Sequence, residues 1–122
     1  MKCRLLLAVA VLSATAMPAL AAPAVTTAQH EIAGLMQALE HSGCRFQRNG
    51  RWHDAAAARA HLQRKYEYLS QRERVGSAEQ FIDDAASRSS LSGKPYRVAC
   101  PDLPEQDSAP WFRQQLARLR GS

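Results

Sequence analysis

Two stretches of this chain carry side chains suited to holding a ligand. His61, Lys65, Tyr68 and Arg72 recur at intervals of three and four residues. On a helix, at 100° per residue, they fall along one edge. Two cations, a titratable ring and a phenol on one stripe suit an anion or a glycan. The rival reading is a solvated helix edge with Tyr68 lying over apolar neighbours. Further on, Ser87, Ser89, Ser90, Ser92, Gly93 and Lys94 crowd into one loop. Hydroxyls, a glycine and a lysine can cradle phosphate or carboxylate. The glycine spacing is not that of a P-loop. The rival reading is that serine and glycine satisfy the backbone of a helix exit and a turn.

Catalysis would need a nucleophile beside a base. Ser89 or Ser90 would have to meet Lys94 or His61. The chain has no Gly-x-Ser-x-Gly, and no Ser-x-x-Lys with its partner motifs. Without a recognisable nucleophile, base and orienting group, a small serine hydrolase is the weaker reading. Glu79 reads as a helix-dipole partner or a pair for Lys65 rather than as a general base. No metal is expected: His53 and His61 stand eight residues apart, Asp54 is needed as a helix cap, and no two histidines share i, i+4 spacing. No cofactor is expected either.

The element that positions these residues is the stretch Cys44 to His53. Asn49-Gly50 is a strong hairpin signal, because a type I′ turn needs positive φ at both central residues. Phe46 and Trp52 flank the turn and are expected to cover one face of the hairpin together. Before it, Thr26 and Gln29 form a capping box, and Ile32, Leu35, Met36 and Leu39 follow a helical period. Gly43 stops that helix, and His41 caps its last turn. After the hairpin, Asp54 caps a second helix from Ala55 to about Gln71, with an apolar face of Ala55, Ala58, Leu62, Tyr66 and Leu69.

Gly76 breaks the chain. Ser77 and Gln80 form another capping box, for a short helix that buries Ala78, Phe81, Ile82 and Ala85. Tyr96 to Cys100 alternates as a strand that pairs with the hairpin, and Pro101 and Pro104 end it. Ser108 caps a last helix whose inner stripe is Phe112, Leu116 and Leu119, with Trp111 at the flank. Arg118 and Arg120 suit its C-terminal end. The expected fold is α+β: a small single domain of four helices, a hairpin and one further strand in a small antiparallel sheet, with one disulfide.

The N-terminus reads as a signal peptide. Met1 to Arg4 is basic, Leu5 to Leu12 is apolar throughout, and Ala19-Leu20-Ala21 is an A-x-A cleavage pattern. The division is therefore a signal over 1–21, a loose leader and helix start over 22–31, and a single domain over 32–122. About 100 residues remain after cleavage, enough for one modest core. No second apolar run follows, so no transmembrane span is expected in the mature protein. Removing Lys2 and Arg4 takes the formal charge from +5 to +3. That is no nucleic-acid signature; an anionic envelope component or a periplasmic protein is the more plausible partner. Cys3 leaves with the signal. Cys44 and Cys100 remain, an even count that in an exported chain reads as a disulfide. Its closure should stabilise the fold by roughly 4 kcal/mol.

Several of these segments together resemble a known family. Arg48-Asn49-Gly50, His61-Leu62, Lys65, Ala78-Glu79-Gln80-Phe81-Ile82, Ser89-Ser90 and Ser92-Gly93-Lys94-Pro95-Tyr96 are similar to the YfeK-like family of small bacterial proteins. The resemblance covers roughly Ile32 to Cys100, and Ser-Gly-Lys-Pro-Tyr after Ser-Ser is its most specific part. It implies a periplasmic address and a domain of unknown function, and it supplies no catalytic residue. The sequence therefore points to a non-enzymatic periplasmic module that binds an anionic or glycan ligand or a partner protein. Its surface would join Arg48, His61, Lys65 and Arg72 to Ser89, Ser90, Ser92, Lys94 and Tyr96. A structural envelope protein without a small-molecule ligand is the alternative.

Overall fold

The computed structural model describes residues 7–18 and 25–121. The basic start and the Ala19–Ala21 pattern lie outside the described residues, and residues 7–18 have no regular secondary structure. Among the described residues, no helix is long and apolar enough to cross a membrane.

Helix α1 spans Thr27–Glu40 and opens with the expected capping box. The Gln29 amide donates to Thr26 Oγ1 at 3.1 Å, and the Thr26 amide donates to Gln29 Oε1 at 2.9 Å. Its buried stripe is Ile32, Leu35, Met36 and Leu39. His41 is the C-cap, with ring Nδ1 3.0 Å from the Gln37 carbonyl, and Gly43 turns the chain away at φ +68°.

Strands β1 (Arg45–Arg48) and β2 (Arg51–His53) flank Asn49 at φ 51° and Gly50 at φ 79°, the positive pair that a type I′ turn requires. This two-residue turn sets the register: Phe46 faces His53, and Gln47 faces Trp52. Directly opposed residues share a face, so Phe46 and Trp52 lie on opposite faces, contrary to the expectation from sequence. Phe46 enters the core. Trp52 lies outside it, under the guanidinium of Arg45 at 5.6 Å.

Helix α2 (Ala55–Ser70) is capped by Asp54, whose carboxylate accepts from the Ala57 amide at 2.8 Å. It ends before Gly76, through Glu73 in the left-handed region and an Arg74 amide bond back to the Leu69 carbonyl. Helix α3 (Ala78–Asp84) has Ser77 as its cap, but Gln80 Oε1 accepts from the Gly76 amide, so the second half of the expected box falls one residue early.

Strand β3 (Arg97–Ala99) pairs with β1, as expected. A two-residue β4 (Gln106–Asp107), too short to carry any alternation, adds a fourth strand. The antiparallel sheet runs β2-β1-β3-β4. The Cys44–Cys100 disulfide ties the residue before β1 to the residue after β3, one step beyond the Arg45–Ala99 pair.

Helix α4 (Ser108–Gly121) lies over the sheet. Ser108 is its first residue; its hydroxyl donates to the Ala86 carbonyl at 2.5 Å instead of capping the helix. Trp111 is core rather than flank, and Leu119 is 39% exposed. The reason is that the sheet offers Phe46 to Trp111. From there an edge-to-face aromatic series runs Phe46–Trp111–Phe112–Phe81–Tyr66, with centroid spacings of 4.9–6.5 Å. It joins the sheet to α4, α3 and α2.

Candidate functional site

The helical period of α2 sets His61 and Lys65 one turn apart on the edge nearest the hairpin. Arg48 ends β1 on the same face as Phe46 and reaches this edge. Tyr96 precedes β3 and is nearly buried. Its amide donates to the Ser87 carbonyl at 2.9 Å, and its carbonyl accepts from the Ser108 amide at 2.8 Å. These three segments meet at one point. Arg48 Nη1 contacts His61 Nδ1. His61 Nε2 lies 3.1 Å from the Tyr96 hydroxyl. Lys65 Nζ donates to the same hydroxyl at 3.1 Å and to the Arg88 carbonyl at 3.0 Å, and it sits 5.0 Å from the centre of the Tyr96 ring.

The proton inventory of this cluster is one-sided. Arginine has no acceptor, so the Arg48 contact makes Nδ1 of His61 the accepting nitrogen and leaves the proton on Nε2. Nε2 then donates to Tyr96, and Lys65 donates to it as well. The Tyr96 oxygen receives two hydrogen bonds, and its own proton has no acceptor among the described residues. Burial, and then the charges of Arg48, Lys65 and Arg64, push His61 down to about 4, so it is neutral at pH 7. Burial, and then Arg48, push Lys65 down to about 8. Burial pushes the Tyr96 phenol up.

Four arginines elsewhere are neutralised. Arg59 meets Glu40, Arg97 meets Asp107 and Glu105, Arg113 meets Asp83, and Arg120 meets Glu31 and Glu79. Glu79 thus pairs with Arg120, not with Lys65. Arg48 and Lys65 have no carboxylate partner among the described residues. Asp84 lines an open groove with Lys65, Arg64, Arg74 and Ser90 but forms no ion pair there.

Of the residues marked out in the sequence, Arg48, His61, Lys65 and Tyr96 come together. Ser90 is exposed on the outer groove. Ser89 is buried and faces the hairpin tip; its Oγ accepts from Asn49 Nδ2 at 3.2 Å and from the amides of Leu91 and Ser92 at 3.3 Å each. The Ser92 hydroxyl donates to Asn49 Oδ1 at 2.5 Å and accepts from the Lys94 amide at 3.2 Å. Arg72 stacks on Tyr68 at 3.6 Å, away from the cluster. Lys94 is exposed and lines neither the outer groove nor the cavity described next.

Beside the cluster lies a cavity of about 150 Å³ between α2, the hairpin and α4. Phe46, Leu62, Ala58 and Phe112 line its apolar part, and Arg48, His53, His61 and Tyr96 its polar part. Sequence reasoning missed it. The signal for His53 was present: a two-residue turn places His53 opposite Phe46, hence facing inward. Among the described residues, no three His, Cys, Asp or Glu side chains are grouped to hold a metal ion.

The fold and site define a small disulfide-tied α+β domain with an unneutralised basic cluster beside an apolar cavity. Residues 26–120 match the family described as a family of unknown function, DUF5329, and the chain belongs to that family. It is also similar to the uncharacterized protein YfeK of Salmonella typhimurium, with 49% identity over 51 residues, which is 42% of this chain and 41% of that protein. The match therefore spans under half the length of that relative. No solved structure matches the chain.

Proposed function

We propose that this protein is an exported, periplasmic, non-enzymatic module that binds a small anion at Arg48, His61, Lys65 and Tyr96. The observation that carries the reading is the one-sided hydrogen bonding: Arg48, His61 and Lys65 all donate within the cluster, Tyr96 accepts from two of them, and the Tyr96 proton and two half-buried cations lack an anionic acceptor. A ligand oxyanion supplies it, and charge-assisted bonds from Arg48 and Lys65 strengthen the contact. A neutral glycan would leave the like charges of Arg48 and Lys65 pressed together, so an anion is favoured. Export is supported by the apolar run Leu5–Leu12 and by a disulfide that suits an oxidising compartment. The serine hydrolase reading is disfavoured, because the Ser89 hydroxyl accepts from three donors within its own loop and hairpin.

A second reading, a structural envelope protein, is favoured by the Asn49–Ser89–Ser92 hydrogen bonds, which tie the loop to the hairpin without any ligand. A thermal-shift titration of the oxidised protein with phosphate, sulfate and simple carboxylates separates the two. A bound anion at a hundredfold excess over its Kd adds about 2.7 kcal/mol to stability. Arg48→Met and Lys65→Met should each remove that gain. No shift with any anion, or an equal shift in both variants, overturns the binding reading.

A further inference from the structure

We infer that the ligand is an organic anion whose apolar body, about the size of one six-membered ring, sits in the cavity lined by Phe46, Ala58, Leu62 and Phe112. The inference rests on the anion-binding reading above and adds what else the anion must carry. Arg48, His61 and Tyr96 belong both to the donor cluster and to the cavity lining, so an oxyanion on the cluster has its remaining atoms directed at the cavity. The lining is mainly apolar and rewards burial of hydrocarbon. Its volume is about 150 Å³. An apolar cavity of about that volume accommodates benzene; a disaccharide would not fit.

A second feature stands apart from the cluster. His53 Nε2 lines the same cavity, is enclosed from solvent and has no hydrogen-bond partner among the described residues. An enclosed polar atom left without a partner costs free energy and calls for an account. It lies where the ligand body would be, and so reports on occupancy of the cavity rather than of the basic rim. The rim charges suit one anionic group: Lys65 contacts the Tyr96 phenol, Arg48 contacts the His61 ring beside it, and Arg64 stands at the border of the cavity and the outer groove.

The test is an NMR titration of the full oxidised chain at pH 7 with acetate, inorganic phosphate, benzoate and cyclohexanecarboxylate. The two ring acids are expected to bind at least tenfold tighter than acetate, and only they should move the His53 ring resonances. Ala58→Leu fills the cavity from α2. Ala57→Leu, at an exposed position on the cavity border, crowds its mouth without overpacking the core. Both should abolish the tenfold preference and leave acetate binding unchanged, whereas Arg48→Met should lose all four anions. Equal affinity for acetate and benzoate, both lost in Arg48→Met, would overturn the inference and leave the anion site standing. Benzoate binding that survives the leucine variants, or that leaves His53 unmoved, would also overturn it. No binding of any anion would remove the anion reading and the inference together.

Discussion

The two ends of this small domain treat positive charge in opposite ways. On the face made by α1, α3 and α4, Arg120 bridges Glu31 and Glu79, and Arg113 reaches Asp83. Apart from the half-buried Glu31, those side chains are exposed, and such pairs add little to stability. On the face made by α2, the hairpin and the start of β3, Arg48 and Lys65 crowd around a neutral histidine and a buried phenol with no carboxylate. This end is also the more buried of the two, which is where an uncompensated charge is costly. The paired face can be explained by folding alone. The unpaired face is the one on which the anion proposal rests.

The comparison can be broken at its foundation. The disulfide fixes the pairing of β1 with β3 from the end of the two strands opposite to Arg48 and Tyr96. Replacing both Cys44 and Cys100 by alanine should lower stability by about 4 kcal/mol in a denaturant titration, with anion binding weakened in proportion to the unfolded fraction. Preserved stability would show that the core alone sets this register.

Next in size is the buried serine. Ser89→Ala strands the Asn49 amide and two loop amides and should cost about 1–3 kcal/mol. Ser90→Ala, at an exposed position, should stay within about 0.5 kcal/mol. Equal losses would mean that the loop is not held by Ser89.

The histidine gives a pH signature. His61 is held near 4 in the folded chain and returns to about 6.5 when unfolded. Between these values only the unfolded chain takes up the proton, so stability should fall as pH drops from 6.5 to 4. Allowing for solvent screening, the loss is about 1–2 kcal/mol, and His61→Gln should flatten the slope. Lys65 works in the other direction on binding. With its free value near 8, an anion should bind more tightly as pH falls from 9 to 7, and Arg120→Met should keep that dependence unchanged.

The smallest effect sharpens the contrast. Arg120→Met on the paired face should lower the melting temperature slightly and leave anion binding untouched. Lys65→Met on the unpaired face should abolish binding with no comparable loss of stability, because it also removes a like charge beside Arg48.

Much of the fold could be read from local signals. The caps at Thr26, Asp54 and Ser77, the Asn49-Gly50 turn and the α1 stripe depend on residues within a few positions of one another. The errors arose where a neighbour distant in sequence decided the outcome. Trp111 is buried because Phe46 lies under it, Ser108 turns to the Ala86 carbonyl, and Glu79 finds Arg120. The candidate site divides along the same line. His61 and Lys65 were visible as one helix edge. That α2 would end before Arg72, leaving it stacked on Tyr68, or that Ser89 would face Asn49, was not visible.

By itself, the sequence determined the four helices, three of the strands, the turn and the caps at Thr26, Asp54 and Ser77, because each follows from backbone preference and short-range hydrogen bonding; the cysteine pair followed from the even count left after the signal. Only the tertiary structure decided that an arginine from the hairpin, two residues from a helix and a tyrosine before a strand meet, with His61 and Lys65 donating to the tyrosine oxygen and the arginine donating to His61. It also decided that an enclosed histidine faces a cavity beside them. Those meetings depend on packing between segments 13 to 35 residues apart, and no local pattern encodes packing at that range.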